Sequence, residues 1–474
     1  MIARIKPIED YAADAAQQPL RRSFGALQLT MLGVGGVIGS GIFVLTALGA
    51  ERAGPSLLLS FVIAATVCGF AALAYAELAS MVPVAGTAYA YAHVSMGELA
   101  AWIVGWNLVL EYGVAAAVVA VGWSGYVAGL LASAGVTLPA ALSGGLLAGR
   151  GGMVNVPAVL IIAALTALIA TSTRNSAIVG SALVVIKLGA LTLFLLITLP
   201  NIEPSNFRPF MPYGFGSTQM DGVPKGVMAA ASLIFFAYLG FDCISTAAEE
   251  TRHPNRDVPI AIVASLAICT LVYVLVTVGA LGTTSYQELA GSTDPLALIL
   301  RRMGHVTLGN LIAVAAIATL PSVILLMLYG QSRIFFVMAR DGLLPRALGR
   351  VHPRFGTPYL ATLITSAVIA LLAGVGRADE IAEISNAGSL FAFASAGIAL
   401  IVLRTTRPDQ PRPFRCPAPW LVVPATVIGC GYLFYSLPTL SQARYAVWLA
   451  IGAATYVLYG YRRSTVARGQ GGQG

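Results

Sequence analysis

The sequence predicts an all-α integral membrane protein with twelve transmembrane helices, and three observations support this fold class. Hydrophobic residues make up 57% of the 474 residues and charged residues only 10%, whereas a soluble domain carries about 25% charged residues. Apolar runs of roughly 20 residues, the length that crosses a bilayer as a helix, recur along the chain. Lysine and arginine lie mainly between these runs, so membrane topology explains the net charge of +8 without a nucleic-acid-binding patch.

Twelve apolar runs define the predicted spans and divide the chain. Glycine and proline are frequent inside the runs, which a membrane tolerates where neighbouring helices restore the freed backbone hydrogen bonds. The division leaves a segment at 1–25, two spans within 404–462 and a tail at 463–474. The predicted spans cover residues 27–50, 56–81, 99–131, 155–171, 175–199, 227–248, 258–282, 306–332, 358–375, 381–403, 419–438 and 443–461.

The distribution of basic residues predicts the orientation. An even number of spans places both termini on one side, and loops on that side carry more than twice as many lysines and arginines as loops on the other. The positive-inside rule therefore predicts a multi-pass protein of the cell (cytoplasmic) membrane with both termini in the cytoplasm. Residues 1–25 are polar and contain no signal-peptide pattern, so the first span is expected to direct insertion.

Two of the predicted spans contain helix-breaking segments at mid-depth. The first contains Gly39-Ser40-Gly41, and the sixth, five spans later, contains Ala237-Tyr238-Leu239-Gly240. Interrupted helices at matching positions in two halves of opposite orientation indicate an inverted-repeat transporter that binds its substrate between the repeats. The core is then expected at 26–403, with repeats at about 26–199 and 227–403.

The glycine-rich segment of the first span has two possible roles. A dinucleotide fingerprint is excluded, because the third glycine position would fall on Ile38 and no strand precedes it. Gly35 and Gly39 form a GxxxG pattern, which allows close helix packing. Alternatively, a helix broken at 39–41 exposes backbone N–H groups that suit a substrate carboxylate, helped by the Ser40 hydroxyl. The carbonyls of Val37 and Ile38 would then suit an ammonium group.

Two ionisable residues lie deep in predicted spans. Lys187 stands at the centre of the fifth span, where a charge costs about 2.5–3.5 kcal/mol on insertion scales and so indicates a function. Desolvation favours the neutral amine, which makes Lys187 a candidate for proton release. A static tether to the backbone of the first span is the alternative. Glu111 in the third span is a candidate partner in proton transfer, or a simple hydrogen-bonding group.

Three motifs carry a resemblance to a known family. They are GVIGSGIFVLTALG at 36–49, FFAYLGFDCISTAAEETRHPNRDVP at 235–259 and YGQSRIFFVMARDGLLP at 329–345. In this order and spacing the chain resembles the bacterial type of the cationic amino acid transporter branch of the amino acid–polyamine–organocation superfamily, over roughly 22–460. The resemblance implies the leucine-transporter-type fold, with ten core helices in a 5+5 inverted repeat, broken helices 1 and 6, and two C-terminal helices.

The resemblance also implies roles for individual residues. Lys187 matches a position seen in proton-coupled bacterial members, which implies proton coupling or ion-independent exchange. Phe236 is similar to the aromatic gate of the family, although the aromatic residues of this segment can also be read as core residues, the preferred interpretation for Phe235 and Tyr238. The implied carboxylate site is Gly39, Ser40 and Gly41, and the implied ammonium site is the carbonyls of Phe236, Ala237 and Leu239 with Val37 or Ile38.

Met327 departs from the pattern of the cationic members. Eukaryotic cationic transporters of this branch carry a small serine there, and a bulky thioether would shorten the pocket. We therefore expect a permease for small neutral L-amino acids, with a cationic amino acid or polyamine transporter or exchanger as the alternative. Twelve spans with two interruptions favour alternating access over a channel, whereas a transporter-like sensor would keep the same site. The sequence leaves open whether a small accessory membrane subunit binds.

An intramembrane enzyme is disfavoured by the residues that the chain lacks. The four histidines lie in loops or at helix ends, and no HExxH pattern occurs. The five cysteines are far apart and contain no CxxC, so they are interpreted as buried small hydrophobic residues. No cofactor and no metal site are predicted, and the expected partners are the amino acid, protons and the lipid bilayer.

Overall fold

The computed structural model of the protein describes residues 5, 7, 24–82, 86–148, 151–171, 176–220, 222–352 and 357–464. Helices make up most of this part of the chain. They are α1 (Ala26–Val37), α2 (Ser40–Phe43), α3 (Leu45–Ala53), α4 (Leu57–Met81), α5 (Thr87–Ser95), α6 (Glu98–Ser133), α7 (Ala140–Ser143), α8 (Val156–Thr171), α9 (Ser176–Thr198), α10 (Val227–Ile234), α11 (Pro254–Thr283), α12 (Tyr286–Leu289), α13 (Pro295–Arg302), α14 (Val306–Arg340), α15 (Tyr359–Val375), α16 (Ala378–Thr406), α17 (Pro419–Tyr435), α18 (Thr439–Thr455) and α19 (Tyr461–Arg463).

Shorter elements connect these helices. A small antiparallel hairpin, β1 (Thr218–Met220) and β2 (Val223–Lys225), precedes α10. A π-helical turn, Tyr456–Gly460, joins α18 to α19. The 3₁₀ helices are Gly54–Ser56, Leu146–Ala148, Leu199–Asn201, Pro204–Phe207, Phe235–Tyr238, Asp242–Glu250 and Arg346–Gly349.

The length and composition of the helices agree with a membrane protein. Seven stretches in the described residues are long and apolar enough to cross a bilayer, and α17 with Thr439–Gly460, bent by 114°, makes an eighth if the pair is one span. Helices α1, α8 and α15 are apolar but shorter. The seven stretches are Leu45–Met81, Glu98–Ser133, Ala182–Asn201, Val227–Ala248, Pro254–Thr283, Val306–Arg340 and Ala378–Thr406. The predicted multi-span helical class is confirmed, while the count of twelve stays a prediction.

Helix α6 lies at the centre of the bundle. It packs along α14 and α16, and α11 packs along both α4 and α1. At one end of the bundle the chain before α1 pairs with the chain that follows the 3₁₀ helix Asp242–Glu250. The Phe24 N–H donates to the Glu250 carbonyl at 3.1 Å, and the Arg252 N–H donates to the Phe24 carbonyl at 2.9 Å. These bonds tie the beginning of one interrupted segment to the end of the other.

Candidate functional site

Both predicted interruptions are present in the structure. The first helix ends at Val37, and Ile38 is extended, with φ −71° and ψ 93°, before α2 begins. At the second interruption, α10 ends at Ile234. The chain then passes through the 3₁₀ turn Phe235–Tyr238 and becomes extended at Leu239. Gly240 then adopts φ +112°, a conformation that only glycine reaches readily. Backbone polar groups at both interruptions are therefore released from regular helical bonding.

The two interruptions touch through their backbones. A Cβ atom added to Gly41 would lie 2.3 Å from the Cα of Ala237, and one added to Gly240 would lie 3.0 Å from the Gly36 carbonyl carbon. No side chain fits at either crossing. The packing role suggested for Gly35 also holds, since a Cβ there would meet Val184 of α9 at 2.6 Å. Close packing and the helix break are thus features of the same segment.

Lys187 caps the end of α1. Its side chain is 0% exposed, and its ammonium group donates to the carbonyls of Gly35 and Ile38, both at 2.9 Å, and to the Ser322 hydroxyl at 3.1 Å. An ammonium has three hydrogens, so these contacts use all of its donors. They are the contacts that a tether to the first span requires. They also occupy the Ile38 carbonyl that is a candidate ligand for the substrate.

Tyr273 of α11 bridges the two interruptions and is not among the predicted site residues. Its hydroxyl oxygen lies 2.7 Å from the Val37 carbonyl and 2.9 Å from the Ala237 carbonyl. Both carbonyls belong to the predicted ammonium site. No sequence signal distinguishes this tyrosine, because it stands alone inside a long apolar run.

A narrow cavity lies between the interruptions. Six of the predicted substrate-binding residues line it, namely Val37, Gly39, Gly41, Phe236, Leu239 and Met327. Sequence reasoning missed Gly36, Ala115, Val119 and Val323, which also line it. Ile38 and Ala237 are not among the described lining residues; the Ile38 carbonyl accepts from Lys187, and the Ala237 carbonyl accepts from Tyr273. The Ser40 side chain lies outside the described part of the chain, so the role of its hydroxyl stays a prediction.

The aromatic residues around the second interruption divide into two groups. Phe236 lines the cavity and is 5% exposed. Phe235 instead packs on Phe393, with ring centroids 5.6 Å apart, and Tyr238 donates to the Phe61 carbonyl at 3.1 Å. The interpretation of Phe235 and Tyr238 as core aromatics agrees with these contacts.

Glu111 of α6 is buried near the second interruption. It is 1% exposed, and neither carboxylate oxygen has a hydrogen-bond partner among the described residues. Its neighbours include Asp242 and Ser389. Asp242 itself accepts from the Tyr112 hydroxyl at 2.6 Å and from the Gly240 N–H at 3.3 Å, so it holds the backbone next to the interruption.

The structure does not bring Glu111 and Lys187 into contact. The described neighbours of Lys187 belong to α1, α11 and α14, whereas those of Glu111 include Asp242 and Ser389. The expectation that these two side chains are direct partners in proton transfer therefore finds no contact to support it.

Comparison with known proteins identifies the family. The amino acid permease family profile matches residues 24–459. The branched-chain amino acid permease BcaP of Bacillus subtilis (strain 168) is 42% identical over 98% of each chain, and the methylthioribose transporter of the same organism is 39% identical over 97% of this chain and 98% of the relative. Cationic amino acid transporter 4 of Homo sapiens is 34% identical over 86% of this chain and 63% of the relative. The chain belongs to the amino acid permease family of the amino acid–polyamine–organocation superfamily.

Proposed function

We propose that this permease moves small neutral L-amino acids into the cell by alternating access, coupled to protons. The observation that carries the proposal is the cavity between two interrupted helices, whose described lining combines backbone outside regular helices with apolar side chains. A zwitterion supplies a carboxylate and an ammonium for the backbone groups, and an aliphatic side chain for the apolar wall. Released backbone groups at mid-depth are tolerated in a membrane protein where they line such a cavity.

The proposed architecture is twelve spans in the leucine-transporter-type 5+5 inverted repeat with two further helices. Two interruptions that cross at Gly41 and Gly240 support it, because such repeats place their broken helices around a common substrate site. The excess of basic residues in the loops on one side supports cytoplasmic termini and a location in the cell membrane.

The proposed substrate orientation follows the polarity of the interruptions. The carboxylate would lie on the N–H groups at 39–41, and the ammonium on the carbonyls of Phe236, Ala237 and Leu239. The substrate side chain would then extend toward Met327 on α14, which is 3% exposed. No acidic side chain is among the described lining residues, so a lysine or arginine side chain would enter without a partner for its charge.

The relatives support a neutral substrate. One is named a branched-chain amino acid permease, and it shares more of its sequence with this chain than the human cationic transporter does. The relative named methylthioribose transporter requires a second candidate, a thioether sugar. The described lining carries no side-chain hydroxyl, amide or charge that would bind several sugar hydroxyls, and this favours the amino acid.

Proton coupling is proposed to involve Glu111 and Lys187 at separate positions. An unpartnered buried carboxylate is costly, so Glu111 is suited to hold a proton in this conformation. The Lys187 ammonium donates to two carbonyls and a hydroxyl between α1 and α14, as a bound cation would be held there. Proton release from Lys187 would loosen the end of α1, which its three hydrogen bonds now hold.

Competition in reconstituted vesicles tests this function. Purified protein is reconstituted, and the uptake of labelled alanine is measured against all common amino acids, methylthioribose and a polyamine, at two pH values with and without an inward proton gradient. We expect inhibition by neutral aliphatic amino acids and accumulation that requires the gradient. Inhibition by lysine, arginine, the polyamine or methylthioribose alone would overturn the proposed substrate, and gradient-independent accumulation would overturn the coupling.

A further inference from the structure

A cluster of buried polar side chains lies next to the second interruption, and none of its members is among the described lining residues of the cavity. It consists of Tyr75 of α4, Tyr91 of α5, Glu111 of α6, and Asp242, which begins a 3₁₀ helix. Asp242 is a neighbour of the other three, and Tyr75 is also a neighbour of Glu111. Each side chain belongs to a residue that is at most 1% exposed. Four segments of the chain therefore place polar groups in one buried region.

The cluster contains more polar atoms than the described protein groups satisfy. Both carboxylate oxygens of Glu111 and the hydroxyls of Tyr75 and Tyr91 have no hydrogen-bond partner among the described residues. Asp242, by contrast, has both oxygens bonded, as described above. A buried polar group without a partner is costly, and most such groups in proteins bond either to other protein groups or to ordered water. Four unpartnered atoms in one cluster therefore indicate a bound polar ligand.

The serine hydroxyls beside the cluster are already used as donors. Ser245 donates to the Asp242 carbonyl at 2.6 Å, and Ser389 of α16 donates to the Ser385 carbonyl at 3.1 Å. A hydroxyl has one hydrogen, so neither serine has another to donate to the Glu111 carboxylate. The ligand of the cluster must therefore bring donors of its own.

Aromatic rings pack against Tyr75 and limit the size of the ligand. The centroid of the Tyr75 ring lies 6.0 Å from that of Tyr91, 5.8 Å from that of Phe241 and 5.5 Å from that of Phe393. The rings of Phe241 and Phe393 also pack together, at 5.0 Å. Water is small, both donates and accepts, and typically makes about three hydrogen bonds to otherwise unsatisfied groups when it is buried.

The charges around Glu111 favour water over a metal cation. The titratable groups that neighbour Glu111 are Asp242, Tyr75, Tyr112 and Cys243. Because the Asp242 oxygens are already bonded, a cation would find one free carboxylate and two phenol oxygens. Water can use the same phenols as donors and as acceptors, which a cation cannot.

We propose that this cluster binds ordered water, and that the Tyr75 and Tyr91 hydroxyls hold the water against the carboxyl group of Glu111. The water supplies the hydrogen bonds that the four atoms lack, and it gives the Glu111 proton a hydrogen-bonded acceptor. The two tyrosines are positioning residues, because they act on Glu111 through the water. The inference rests on the proposed function, since it assigns water to the side chain that is proposed to hold the coupling proton.

The sign of a change in melting temperature tests the hydration. Tyr75→Phe and Tyr91→Phe each remove one hydroxyl and keep the ring. In a dry cluster the change removes an unpaired buried group and raises the melting temperature, whereas in a hydrated cluster it removes a hydrogen bond and lowers it. We expect both variants to melt below the wild type, and Tyr435→Phe, at a site that is 76% exposed, to match it. A rise in either cluster variant would overturn the inference.

Transport by the same variants tests the positioning role. We expect accumulation of labelled alanine under a proton gradient to fall about three- to tenfold, the effect of one hydrogen bond, while counterflow without a gradient stays near the wild-type rate. Unchanged accumulation, or an equal loss of accumulation and counterflow, would contradict this role. If one variant does not fold, the other carries the test, because the two tyrosines lie on different helices.

A change of salt separates water from a bound cation. Replacing sodium and potassium by choline at fixed pH is expected to leave both the melting temperature and the accumulation of the wild type unchanged, and a change in either would overturn the water site. Wild-type vesicles that take up no amino acid would instead overturn the proposed function. The melting temperatures of the two tyrosine variants would still test the water site in that case.

Discussion

Lys187 and Glu111 are both buried ionisable residues inside apolar helices, yet their surroundings are opposite. Lys187 uses every hydrogen of its ammonium on the end of α1 and on Ser322, whereas both oxygens of Glu111 lack a partner among the described residues. A buried charge is tolerated when it is fully hydrogen-bonded and is costly when it is alone. Burial therefore marks both residues as important, while the bonding around each indicates what it does.

The largest expected effect is that of Lys187→Met. The change removes three donors and leaves two backbone carbonyls without their partner, each costing about 1–3 kcal/mol if it stays buried. The Ser322 hydroxyl keeps its hydrogen bond to the Thr319 carbonyl, at 2.7 Å. We expect uptake driven by a proton gradient to fall to background, together with a lower melting temperature. Lys225→Met is the matched control, because Lys225 lies in the outer hairpin over the Tyr213 ring. A normal response of Lys187→Met to the gradient would refute the coupling role.

The next effect in size is that of Glu111→Gln. Glutamine has the shape of the protonated acid but cannot release a proton, so the fold and substrate exchange are expected to persist while gradient-driven accumulation is lost. Counterflow and accumulation are measured on the same vesicles, with the exposed Glu203→Gln as control. Glu111→Gln vesicles that still accumulate alanine under a proton gradient would show that Glu111 is only a structural group.

Tyr112→Phe is expected to have an intermediate effect. It removes the 2.6 Å hydrogen bond to Asp242 and so leaves a second buried carboxylate poorly bonded beside Glu111. A lost partner of a buried acceptor costs about 1–3 kcal/mol, which should lower the melting temperature. Exchange should slow by less than in Lys187→Met. Tyr432→Phe, at a largely exposed site, is the control, and equal melting temperatures for the two variants would contradict the expectation.

Ser322→Ala is expected to have the smallest effect, because it changes only one of the three contacts of the Lys187 ammonium. It removes the longest of the three Lys187 contacts, at 3.1 Å, and keeps both 2.9 Å bonds to backbone carbonyls. A hydrogen bond from a charged donor contributes about 1.5–3 kcal/mol, so transport is expected to fall by about 10–100-fold, which is less than in Lys187→Met. If this variant were as inactive as Lys187→Met, the hydroxyl and not the helix end would be the essential partner of the ammonium.

The helix interruptions could be predicted because clusters of small, flexible residues weaken a helix at a depth where no lipid group replaces its backbone bonds. Lys187 was recognisable for a similar reason, since a charge in that position is costly. Ala115, Val119 and Val323 could not be recognised, because an aliphatic residue that faces a cavity has the same composition as one that faces a neighbouring helix. Their roles depend on the register between α6 and α14, which only tertiary contacts fix.

Charged residues near predicted helix ends are harder to judge from the sequence. Glu77 stands near the end of a predicted span, where a charged side chain costs little free energy because it can reach water. In the structure it is fully buried and accepts two hydrogen bonds from Arg404, at 2.9 and 2.6 Å. The two residues are separated by most of the chain, so no local pattern reveals the pair. Helix α5 was not predicted, because it is shorter than a membrane span. Helix α14 extends beyond its predicted span, because its last turns lie past the apolar run and contain arginines.

The position of the Tyr273 hydroxyl has a consequence for the proposed binding of a substrate amine. A phenol has one hydrogen to donate, while two carbonyl oxygens, at Val37 and Ala237, lie within its reach. The two carbonyls therefore share one phenolic hydrogen. A substrate ammonium would bring three further donors to this pair, whereas a molecule of equal size without an amine would bring none.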